Sequence, residues 1–179
     1  MTQPKLLVIG PSWVGDMVMA QSLFKTILSQ SPTTLIDVIA PQWSLALTRR
    51  MPEVNKGIVS PIKHGEFGIM KRFQLSEWIR PNKYDQAIVM TRSWKAALIP
   101  WFAGIPIRTG YRGEMRYCLI NDMRLLETKT LNQTVKRFVA LGSLSSQLPA
   151  FEVPSLSVSS VNVELIINKL NLDLKKPIM

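Results

Sequence analysis

The chain has 179 residues, 46% of them hydrophobic and 19% charged, enough for one well-filled core and too apolar and varied for a disordered or repetitive segment. A net charge of +10 implies an anionic partner, because a surplus of that size repels itself until phosphate or carboxylate neutralises it. One cysteine, Cys118, excludes an internal disulfide and a cysteine-built zinc site; it fits a reducing compartment and reads as a small core residue.

The first predicted element is the apolar run 6–9, a strand buried on both faces that stops at Gly10-Pro11 and is too short for a signal peptide. A helix over 16–28 follows, its apolar Met17, Ala20, Leu23, Phe24, Ile27 and Leu28 at three- and four-residue spacing, ended by Ser31-Pro32. The cycle repeats with a strand over 35–39, a helix opened by Pro41 and running to about Arg50, and a strand over 54–59. Next come a helix over 67–78, a strand over 86–90, a helix over 93–102 with Ser93 as N-cap, and a short strand over 105–109. The longest apolar stretch, 96–107, is broken by Pro100 and Pro106 and is too short to span a bilayer. Trp94, Trp101 and Phe102 sit at helical spacing and read as core rather than as a membrane contact. A helix over 131–144, a Ser- and Pro-rich linker over 149–160 and a helix over 161–170 complete the series. The tail 175–179 reads as the approach to another buried strand, and with the linker before it as a chain cut short.

Strands alternating with helices give a doubly wound, Rossmann-like parallel α/β sheet whose ligands collect at the carboxyl ends of the strands. The first such turn is Gly10-Pro11-Ser12-Trp13-Val14-Gly15-Asp16. Its glycine spacing is that of a phosphate loop, but Asp16 and Met17 stand where Lys and Ser/Thr belong, and a carboxylate there repels phosphate. A dinucleotide fingerprint is absent, since no glycine stands two residues after Gly10. Asp16 is left as an acid at the mouth of the sheet, either a general base or an N-cap. A second feature is charge: over residues 92–124, Arg92, Lys95, Arg108, Arg112, Arg116 and Arg124 outnumber Glu114 and Asp122, and arginine forks suit oxyanions. His64 has no neighbouring His or Cys, which speaks against a metal site.

The ordered segments Gly10-Pro11-Ser12-Trp13-Val14-Gly15-Asp16-Met17, Arg50-Met51-Pro52-Glu53-Val54, Phe102-Ala103-Gly104-Ile105-Pro106 with Arg108-Thr109-Gly110, and Arg112-Gly113-Glu114-Met115-Arg116-Tyr117 with Asn121-Asp122 resemble the lipopolysaccharide heptosyltransferase II family of glycosyltransferase family 9. The resemblance implies a GT-B enzyme in which two doubly wound domains face each other across a cleft. It places residues 1–149 in the acceptor-binding domain, and 150–179 in a linker, a helix and the start of a truncated donor-binding domain. It implies inverting transfer of heptose from ADP-heptose to the heptose of the inner core, with Asp16 as the base and no cofactor or metal. Ser12, Gly15, Arg92, Lys95, Arg112 and Arg116 are the expected acceptor contacts, matched to a phosphorylated, carboxylate-bearing inner core. ADP-heptose is expected to bind through the missing C-terminal domain, and the location is cytoplasmic, with peripheral contact at the inner membrane. Two other readings stand beside this one: a catalytically inactive acceptor-binding module, and a basic nucleic-acid-binding domain. The second lacks aromatic residues interleaved with Arg.

Overall fold

The computed structural model describes residues 3–63, 65–143 and 150–172. His64 and the tail 175–179, both read above from sequence, lie outside them. Six parallel strands form one sheet in the order β3-β2-β1-β4-β5-β6. They are β1 (Lys5–Ile9), β2 (Leu35–Ala40), β3 (Val54–Val59), β4 (Gln86–Val89), β5 (Ile107–Tyr111) and β6 (Asp122–Arg124). The helices are α1 (Val14–Gln30), α2 (Gln42–Thr48), α3 (Ile69–Ile79), α4 (Trp94–Phe102), α5 (Thr134–Gly142) and α6 (Ser160–Leu170). The predicted strands 6–9, 35–39 and 86–90 lie side by side and parallel, with β1 between β2 and β4.

The continuous apolar runs have the meaning expected of them, because successive side chains feed two different cores. Leu6, Val8, Ile36, Val38 and Ile88 pack with Met17, Leu23, Phe24 and Phe138 on the α1 and α5 side. Leu7, Ile9, Ile39, Ala87 and Val89 pack with Leu75, Ile79, Ala97 and Ile99 on the α3 and α4 side. α5 lies close on α1, and a Cβ added at Gly142 would meet Leu23 Cδ1 at 2.5 Å.

Several boundaries differ from expectation for identifiable reasons. β5 starts at Ile107 because the Ile105 N–H still bonds to the Pro100 carbonyl, closing α4. β6 has three residues, Asp-Met-Arg, with no apolar run to announce it; it is held at the sheet edge by the Thr109 hydroxyl donating to Asp122 Oδ2 at 2.8 Å. Cys118 is exposed, not a core residue. Residues 152–155 of the expected linker form a strap fastened to α1. Buried Gln21 donates to the Ser155 carbonyl and accepts from its N–H, each at 2.8 Å, while Ser22 Oγ donates to the Glu152 carbonyl at 2.7 Å. By contrast, α6 buries none of its residues.

Asp37 is a carboxylate inside the central sheet, and it is satisfied there. The Tyr84 hydroxyl donates to its Oδ2 at 2.7 Å and Asn55 Nδ2 to its Oδ1 at 2.8 Å. Burial, then this hydrogen bond, pushes the Tyr84 pKa up, and burial pushes the Tyr111 phenol up to about 12. Both folded-state values lie above the unfolded one, so the stability these phenols contribute is fully present below pH ~10 and lost as pH rises through the folded values. Denaturation titrated in urea should show stability falling above that pH, and Tyr111→Phe should flatten the fall. An unchanged slope in the variant would contradict the assignment.

Candidate functional site

The carboxyl ends of β1, β2, β3 and β4 open on a cleft of about 290 Å³. Its walls include Gly10 and Ser12 after β1, Pro41 and Trp43 after β2, Ser60 and Lys63 after β3, and Thr91, Ser93 and Lys95 after β4. Gly10 sits in a tight space, where a Cβ would meet Met17 Cε at 2.9 Å and Val38 Cγ1 at 3.1 Å. The Trp43 indole N–H donates to the Ser12 carbonyl at 2.8 Å, which fixes an exposed ring at the rim beside the first turn. Thr91 Oγ1 is enclosed and has no hydrogen-bond partner among the described residues. Such a hydroxyl stays unsatisfied until a ligand or water reaches it.

Asp16 lies in the first turn of α1, but it is not the N-cap. Trp13 takes that position, with φ −83° and ψ 139°, and no side chain caps the helix. Asp16 is therefore the third helical residue, half-buried, and among the described residues its carboxylate accepts no hydrogen bond and makes no ion pair. The capping alternative left open by the sequence thus has no bond to support it. What holds the acid in place is the helix itself, whose positive end favours the charged carboxylate. Gly15, next to it, is exposed, and a Cβ there would meet nothing within 4 Å. Nothing inside the chain calls for a glycine at that position.

The arginines divide into two groups. Arg92 and Arg112 are exposed and line a neighbouring depression with Gly113, Glu114 and Tyr117. Arg112 lies 5.8 Å from the centre of the Tyr117 ring, and its Nε donates to the Tyr117 hydroxyl at 3.2 Å. Arg116, in contrast, is 1% exposed and its guanidinium is spent on backbone carbonyls: Nε and Nη2 on Tyr111, Nη1 on Thr91 at 2.7 Å and on Ser93 at 3.3 Å. Burial lowers its pKa from the ordinary arginine value. In this arrangement its donors face the protein's own carbonyls. It ties the end of β5 to the loop that carries Thr91 and Arg92.

The loop between β5 and β6 is strained and clamped. Glu114 and Met115 have φ of 41° and 48°, left-handed values that cost non-glycine residues ~1–3 kcal/mol each. Glu114 Oε2 accepts from the Trp94 N–H at 2.9 Å, so the start of α4 is capped by Glu114 rather than by the predicted Ser93 side chain. Arg72 is also buried and its Nε donates to the Phe67 carbonyl at 2.9 Å. Lys71 pairs with Glu66 at 2.7 Å. The structure thus brings Ser12 and Lys95 into one cleft and Arg92 and Arg112 into the next, with Gly15 and Asp16 on the adjoining helix end. Sequence reasoning missed Thr91, Trp43 and Ser60. Their signal was position alone, each standing just past the end of a strand. No group of three or more His, Cys, Asp or Glu able to hold a metal occurs among the described residues.

A doubly wound domain with its cleft at the carboxyl ends of the strands, and an acid on the first helix turn that has no partner among the described residues, defines a ligand-binding α/β domain. Comparison with known proteins gives the family. The profile of glycosyltransferase family 9 (heptosyltransferase) matches residues 72–175. Lipopolysaccharide heptosyltransferase 2 of Escherichia coli is 44% identical over 98% of this chain, and lipooligosaccharide heptosyltransferase 2 of Haemophilus ducreyi 50% identical over 81%. The solved structure of the E. coli ADP-heptose heptosyltransferase II covers 97% of the chain at 42% identity with a TM-score of 0.84. The chain belongs to glycosyltransferase family 9. It spans about half the length of the curated relatives it matches, 52% of the E. coli protein.

Proposed function

We propose that this chain is the acceptor side of an inverting heptosyltransferase, which moves heptose from ADP-heptose to the heptose of a lipopolysaccharide inner core. The observation that carries the reading is the 44% identity to a lipopolysaccharide heptosyltransferase over 98% of the chain, with an unpartnered Asp16 at the helix end beside the cleft. In this reading residues 1–149 form the acceptor domain, and residues 150–179 lead through the strap and α6 toward a donor domain. Asp16 takes the proton from the acceptor hydroxyl as its oxygen attacks the anomeric carbon. The new C–O bond forms opposite the breaking bond to diphosphate, ADP leaves, and the configuration inverts. Charge on the leaving diphosphate is balanced by protein donors and cations, so no metal or cofactor is required.

The acceptor is phosphorylated and anionic, which suits Arg92, Arg112 and Lys95. Ser12 and the open backbone at Gly15 allow a sugar to approach closely, and the fixed Trp43 ring offers a stacking face. The enzyme works in the cytoplasm, at the cytoplasmic face of the inner membrane; no helix among the described residues is long and apolar enough to cross a membrane. A transfer assay tests the proposal. Holding both substrates in line supplies ~7–11 kcal/mol of the barrier, so transfer from labelled ADP-heptose to inner-core acceptor should need a donor domain as well as this chain. Robust turnover by the pure 179-residue chain would overturn the division of labour.

A further inference from the structure

Of Trp94, Trp101 and Phe102, which the sequence assigns to the core, Trp101 is exposed and shares its face with exposed apolar side chains of α3 and the turn before it. Trp101, Phe73 and Phe67 are 44%, 42% and 42% exposed, and Met70 is 64% exposed. Ring contacts form two groups: Trp101 packs edge-on to Phe102 at 5.1 Å and Phe102 to Phe73 at 5.5 Å, while Phe67 packs on Trp94 at 5.5 Å. Met70 and Phe73, three residues apart on α3, share the outward side of a helix whose buried positions are Arg72, Leu75, Ser76 and Ile79. Exposed apolar side chains gathered on one face in this way mark a contact.

Its surroundings say with what. Besides the buried Arg72, residues 63–102 contain Lys63, Lys71, Arg80, Lys83, Arg92 and Lys95 against Glu66, Glu77 and Asp85. Two of those acids are already paired, Glu66 with Lys71 at 2.7 Å and Glu77 with Arg80. Aromatic and thioether side chains set among surplus cations fit the boundary between anionic headgroups and acyl chains. A second copy of the chain fits poorly, because it would set one positive face against another. The α3–α4 face also reaches the cleft: Lys95, which lines it, holds its Nζ 5.6 Å from the centre of the Phe67 ring.

We infer that the α3–α4 face, centred on Met70, Phe73 and Trp101, rests on an anionic bilayer surface and so presents the cleft to an acceptor carried in that bilayer. The inference rests on the acceptor reading proposed above for its purpose, though the contact itself can be measured separately. The full chain should co-sediment with vesicles of phosphatidylethanolamine and phosphatidylglycerol, bind phosphatidylcholine vesicles little, and be released by salt. Met70→Glu with Phe73→Glu should weaken vesicle binding by about tenfold or more. Met70→Glu alone, at the more exposed position, should weaken it in the same direction with an unchanged circular dichroism spectrum. The inference is overturned if the wild-type chain ignores anionic vesicles, if folded variants bind them as well as wild type, or if the face proves to hold a dimer that the substitutions dissociate. Titration with water-soluble core oligosaccharide reads the acceptor site independently, and the variants should leave that affinity unchanged.

Discussion

Replacing Asp16 by Asn in the proposed two-domain enzyme is expected to lower turnover by about 100-fold or more, the usual scale for loss of a general base, with the fold intact. Asn matches Asp in size, and the structure gives the carboxylate no hydrogen bond to lose among the described residues. The stability cost is confined to the charge–dipole attraction at the start of α1, ~0.3–1 kcal/mol. Kinetics and thermal denaturation of the same protein therefore separate the two roles. A large fall in kcat at nearly constant Tm is the predicted pair of results. Near-normal turnover would remove Asp16 from the mechanism, and a large fall in Tm would mean that it supports the fold in a way this geometry does not show.

The second large effect is on stability. Arg116→Met fills much of the same space but strips the hydrogen bonds from the carbonyls of Tyr111, Thr91 and Ser93. Buried acceptors left unpaired cost ~1–3 kcal/mol each, so a loss of about 3 kcal/mol or more is expected, read as a lowered urea midpoint. The loop bearing Thr91 and Arg92 loses its tie at the same time, so acceptor affinity should fall as well. Unchanged stability with acceptor binding abolished would instead mark Arg116 as a direct oxyanion contact.

The contrast between Arg116 and Arg112 shows what a sequence can and cannot disclose about this site. Both arginines stand four residues apart in one basic segment, yet one is enclosed by carbonyls and the other faces solvent. Composition predicts a cationic wall without distinguishing them, because burial depends on where the turn at Gly113, Glu114 and Met115 folds back. β1, β2 and β4 were legible because strands buried on both faces are apolar at most positions, Asp37 in β2 being tolerated by its bonds to Tyr84 and Asn55. β6 was not, because a three-residue edge strand is stabilised by pairing and by the Thr109–Asp122 bond rather than by its own pattern. Asp16 was legible as an anomaly: a carboxylate stands where a phosphate loop would put lysine. Trp101 was misread because helical spacing places it on a helix face without saying whether anything covers that face.

The claim that this chain holds the acceptor and not the donor is tested most directly by calorimetric titration of the purified 179-residue protein with inner-core oligosaccharide and, separately, with ADP-heptose. The account predicts weak oligosaccharide binding that declines as salt rises, because the contacts are exposed charges, and little heat with ADP-heptose. Tight ADP-heptose binding with no response to oligosaccharide would contradict it and assign this cleft to the donor.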